Sequence, residues 1–98
     1  MPPAEDACSV TVRFGSYAMG IDAGAAAAID KRVAADPNVT GVTREGAGRE
    51  GEYALCIRTR DKAAAARLAQ SLGPLLPAKP RGPISIEGPE GRIDAPRR

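Results

Sequence analysis

Two short segments alternate apolar and polar residues in period two, and this alternation constrains the fold more than anything else in the chain. In Cys8-Ser9-Val10-Thr11-Val12-Arg13-Phe14, the residues Cys8, Val10, Val12 and Phe14 fall on one face and Ser9, Thr11 and Arg13 on the other. In Glu52–Thr59, Tyr53, Leu55 and Ile57 point one way, and Ala54, Cys56 and Arg58 the other. Successive side chains of a strand alternate across the sheet, so each segment reads as a strand with one face in a core. A parallel sheet buried on both sides would instead need near-continuous apolar strands.

Between and after these strands lie two alanine-rich segments with helical spacing. Asp22 is placed to cap a helix over about Ala23–Ala35, in which Ala25, Ile29 and Val33 recur at i, i+4 and i+8. Asp36-Pro37-Asn38 ends it, because proline cannot continue the hydrogen-bond ladder. Asp61 caps a second helix from Lys62 to Leu72, with Ala64, Ala65, Leu68 and Leu72 as its apolar stripe and Gly73-Pro74 as its stop. Val39–Arg44 and Ile84–Glu87 read as two shorter strands. Glu45–Gly51, with three glycines among charged residues, reads as the connection between the second and third strands.

The order β-α-β-β-α-β with both helices on one sheet face is the split β-α-β arrangement. The expected fold is therefore an α+β, ferredoxin-like sandwich: a four-stranded antiparallel sheet with two helices on one face. A length of 98 residues fits one such domain. We expect residues 1–7 to be a flexible leader, 8–87 the domain and 88–98 a disordered tail rich in Gly, Pro and Arg. The other sheet face would carry Ser9, Thr11, Arg13, Ala54, Cys56, Arg58, Ser85 and Glu87.

Composition removes several functions. The sequence contains no histidine, which excludes Ser-His-Asp and Cys-His catalysis and histidine metal ligation. Its two cysteines, Cys8 and Cys56, cannot close a tetrahedral zinc site alone. Two cysteines are too few for a disulfide-rich secreted framework, and Met1–Asp6 is acidic and lacks the basic-then-apolar order of a signal peptide, so we expect a cytoplasmic protein with reduced thiols. The expected topology points the two cysteines to opposite faces, which disfavours a bridge between them, and no metal or cofactor is expected. No apolar run approaches the roughly 20 residues that span a bilayer. The net charge of +2 gives little long-range attraction to phosphates, and the parity of Phe14 and Tyr53 turns both toward the helices. A nucleic-acid partner is therefore not expected, although Arg81, Arg92, Arg97 and Arg98 could clamp phosphates from loop and tail.

What remains is a non-enzymatic interaction protein, such as an accessory factor, inhibitor or immunity-type protein. It would bind another protein, or a second copy of itself as a homodimer, through the open sheet face and the hairpin at 44–52. Arg13, Tyr17, Arg44, Arg49, Glu50 and Arg58 are the candidate contact residues, since Arg and Tyr favour interface anchors and mixed charge suits a recognition loop. An alternative is an anion-sensing domain using the loop at 15–24, with Gly15, Ser16 and Gly20 presenting amides ahead of a helix N-terminus.

Overall fold

Inward-facing side chains of the alternating strands fill a core beneath two helices. The computed structural model describes residues 8–46 and 51–96. In chain order its elements are β1 (Val10–Phe14), α1 (Ala23–Ala34), β2 (Val39–Gly46), β3 (Tyr53–Thr59), α2 (Lys62–Leu72), β4 (Ile84–Gly88) and β5 (Gly91–Ala95), with a short 3-10 turn at Gly73–Leu75 after α2. The five strands form one antiparallel sheet in the order β2-β3-β1-β4-β5.

This corrects the expected four-stranded ferredoxin-like sheet. Residues 91–95, which the composition assigns to a disordered tail, form a fifth strand on the outer side of β4. Ile86 faces Ile93 and Ile84 faces Ala95 across the pair, so the hairpin extends the core face by one strand. Gly88 opposes Gly91, leaving Pro89 and Glu90 as the tight connection. Gly91 has φ +131, a conformation that favours glycine. The expected leader, residues 1–7, lies outside the described residues, as do Arg97 and Arg98.

Register explains the core. Val12 faces Leu55 on one side and Ile86 on the other, and Phe14 faces Tyr53 and Ile84. The rings of Phe14 and Tyr53 lie 4.9 Å apart between centroids. Over this layer pack Ala25, Ala26, Ile29 and Val33 of α1, and Ala65, Leu68 and Leu72 of α2. Small alanines bring the helices close, while Ile29, Leu68 and Leu72 are fully buried and fill the layer. Both caps form: Asp22 Oδ1 accepts the Ala25 amide at 3.0 Å, and Asp61 Oδ1 accepts the Ala64 amide at 2.7 Å.

The cysteines also depart from expectation, since Cys8 and Cys56 form a disulfide. Period-two parity would put Cys8 beside Val10 on the helix face, but the strand begins only at Val10. The Ser9 amide donates to Ile57 O, and Ser9 Oγ accepts the Thr59 amide, which anchors Ser9. Cys8 therefore lies outside the ladder and reaches Cys56, with 5.1 Å between Cα atoms. That spacing is within the range a disulfide spans.

Candidate functional site

The sheet face away from the helices is assembled from short side chains and alternating charge. Register places Glu45, Ala54, Arg13, Ser85 and Asp94 in one row across all five strands. The next row is Thr43, Cys56, Thr11, Glu87 and Arg92. On the β1-β4-β5 side the charges pair. The Arg13 guanidinium donates to Glu87 diagonally across β1 and β4, and Arg92 Nε donates to Asp94 Oδ1 at 2.7 Å. The hydrogen bond to Asp94, then the charges of Asp94 and Glu87, raise the Arg92 pKa above its ordinary value.

At the β1-β4-β5 end of these rows lies an open groove of about 460 Å³. Arg13, Arg92 and Asp94 supply charge, Tyr17, Pro83 and Pro96 supply apolar surface, and Ser85 lies among them. Ser85 is only 6 % exposed, unusual for a polar side chain on an otherwise open face. The close approach of two backbones helps shape the groove wall. The Gly15 amide donates to Pro83 O at 2.8 Å, and a Cβ on Gly82 would collide with the Gly15 carbonyl.

Beside the groove, the loop from Gly15 to Gly20 displays two large apolar side chains, Tyr17 at 55 % and Met19 at 92 % exposure. The backbone that presents them is tied down from within. Ser16 Oγ accepts the amides of Ala18 and Gly20, both at 2.9 Å. Ala18 holds φ at +94, where a side chain is strained, and Gly20 holds +93.

The structure brings Arg13, Gly15 and Tyr17 together in this groove. Ser16 and Gly20 lie next to it, but the amides of Gly15, Ala18 and Gly20 all donate within the protein. The first-turn amide of Ala25 is likewise taken by Asp22, whose other carboxylate oxygen accepts the Arg81 amide at 2.9 Å. Those hydrogen bonds, the Arg81 one foremost, hold the Asp22 carboxyl below its ordinary pKa, keeping a negative charge where an anion would have to bind. Arg58 lies on the open face two strands from the groove's β4 side, with its guanidinium near Gly41. Arg44 projects on the helix side, its guanidinium carbon 3.7 Å from the Tyr53 ring centroid. Arg49 and Glu50 lie outside the described residues.

Sequence reasoning placed Ser85 on the open face and Arg92 among possible phosphate clamps, but it missed Asp94 and did not bring the three together in one site. Their signal was present: Ile84-Ser85-Ile86-Glu87 and Arg92-Ile93-Asp94-Ala95 alternate on either side of Gly88-Pro89-Glu90-Gly91, a hairpin pattern. Among the described residues no helix is long and apolar enough to cross a membrane, and no cluster of three or more His, Cys, Asp or Glu could hold a metal ion. Comparison with known proteins returns no matching family model, curated relative or solved structure.

Proposed function

We propose that this chain is a non-enzymatic interaction module that receives a segment of another protein on its open sheet face. The observation that carries the reading is the Gly15–Gly20 loop, where Ser16 and a strained Ala18 hold Tyr17 and Met19 out beside the groove. Large apolar side chains held out together beside a groove are a feature of interaction surfaces, and backbone strain of this kind concentrates at functional sites. Tyr17 and Met19 supply the apolar contact, while Arg13, Arg92 and Asp94 supply charged groups that fix orientation. An enzyme is not favoured, because no nucleophile and base are paired in the groove. Nucleic acid is not favoured either, because Glu87 and Asp94 neutralise the two guanidiniums beside them.

We place the intact module where its Cys8–Cys56 bridge persists, since cytosolic thiol systems reduce such bridges. The disulfide corrects the expectation of reduced thiols that accompanied the cytoplasmic reading.

The test is affinity capture from a lysate of the native host, with nuclease and at low and high salt. Wild type and a Tyr17→Ala/Met19→Ser variant are compared. A defined protein retained at high salt by wild type and lost by the variant supports the reading. Recovery of salt-labile, nuclease-sensitive material alone overturns it.

A further inference from the structure

The sheet edge far from the groove ends in β2, whose outer side meets no described strand. From Val42 to Gly46 every residue is exposed, and Val42, on the helix side, is 48 % exposed. The strand is eight residues long, with Val39, Thr40, Val42 and Thr43 all β-branched. A long exposed edge of high strand propensity offers its unpaired backbone groups to another strand. Two devices that commonly blunt such an edge are weak here. The bulge between Val39 and Gly41 lies at one end, and Arg44 is drawn back over Tyr53 of its own chain.

We propose that β2 pairs with β2 of a second copy, antiparallel about a two-fold axis at Thr43, joining the two sheets into one. Residues that oppose each other in a sheet share a face, so a two-fold pairing must place one residue opposite itself. An axis at Arg44 would set two side chains of like charge opposite each other and would leave Glu45 opposite Thr43, with no cation to meet it. An axis at Thr43 sets Thr43 against Thr43, and Val42 against the stem of the partner's Arg44. On the open face it sets Glu45 against the partner's Gly41.

That last pairing is complementary in charge. Arg58 faces Gly41 across β2 and β3, and its Nη1 lies 3.9 Å from where a Cβ on Gly41 would stand. With no side chain at Gly41, the guanidinium has open space toward the edge. Opposing Cβ atoms in a strand pair stand about 5 Å apart, so the carboxylate of an incoming Glu45 can reach that guanidinium. The two-fold repeats the contact, giving two identical Glu45–Arg58 ion pairs between copies. Neither Glu45 nor Arg58 has an ion-pair partner among the described residues of its own chain. The joined sheet would present both grooves on the same side.

The test is sedimentation equilibrium across a concentration series, with circular dichroism confirming that each variant is folded. Wild type is expected to dimerise. Glu45→Arg alone and Arg58→Glu alone are each expected to raise the dimer dissociation constant about tenfold or more, as close interfacial charge pairs do. The double variant Glu45→Arg/Arg58→Glu restores the pair with its charges exchanged and is expected to recover the dimer. A wild type that stays monomeric overturns the proposal. So does a dimer insensitive to either reversal, as pairing through β5 would give, or a double variant no better than the single ones. Tyr17→Ala leaves this association unchanged, so its failure and that of the groove reading are distinguishable.

Discussion

The carboxylate of Asp22 joins two parts of the chain 59 residues apart: one oxygen caps the Ala25 amide of α1 at 3.0 Å, and the other accepts the Arg81 amide at 2.9 Å. It fixes the start of α1 to the loop that leads into β4. Asp22→Ala removes both acceptors and is expected to cost about 1–2 kcal/mol, read as a drop in Tm of roughly 4–16 °C. The lowered pKa sets the pH behaviour. A carboxylate with a folded pKa below its unfolded value contributes stability that is complete above the unfolded value and is lost as pH falls through the folded one. The stability difference between wild type and Asp22→Asn is therefore expected to be constant at neutral pH and to shrink below about pH 4, measured by urea unfolding at a series of pH values.

The Cys8–Cys56 bridge closes a loop across a sequence separation of 48 residues. By chain entropy alone a loop of that length is worth about 4 kcal/mol to the folded state. Denaturant unfolding with and without reductant is expected to show a loss approaching that figure. The double variant Cys8→Ser/Cys56→Ser should be insensitive to reductant, and thiol titration of the unfolded, unreduced protein should find no free sulfhydryl.

Gly82 is required by contact rather than by backbone angle. A Cβ there would run into the carbonyl of Gly15, part of the backbone and unable to rotate aside. Gly82→Ala is expected to destabilise by about 2 kcal/mol or more and to disturb the groove wall. Gly46→Ala, where an added Cβ meets nothing within 4 Å, is the control and should change stability little. Thermal unfolding of the two variants measures the contrast.

The Arg13–Glu87 pair is exposed, with side-chain accessibilities of 58 % and 44 %. Exposed pairs are screened by water, so a double-mutant cycle on Arg13→Ala and Glu87→Ala is expected to give a coupling of less than about 1 kcal/mol in stability. The same substitutions remove charge at the groove, so Arg13→Ala should weaken partner capture far more than it changes Tm.

Much of the fold could be read from residue order. The alternation in Val10–Phe14 and Tyr53–Thr59 located the central strands and their buried faces. Asp22 and Asp61 marked the helix starts, and the spacing of Ile29, Val33, Leu68 and Leu72 marked the stripes that reach the core. The fifth strand was hidden because Gly, Pro and Arg in residues 88–98 resemble a disordered tail, while only two side chains, Ile93 and Ala95, link it to the core. The candidate site was legible in part. Arg13 and Tyr17 could be named from residue type, whereas Ser85, Arg92 and Asp94 become neighbours only when β4 and β5 pair.

What the sequence determined by itself is local: that Val10–Phe14 and Tyr53–Thr59 are strands, that Asp22 and Asp61 start helices, and which side of each of these elements is apolar. Those properties follow from backbone geometry and side-chain periodicity over a few residues. Only the tertiary structure decided that Cys8 meets Cys56, that Arg44 covers Tyr53 instead of facing the groove, and that Asp22 reaches Arg81. Each of these depends on strand register and on where a strand begins, since a shift of one residue moves a side chain to the opposite face of the sheet.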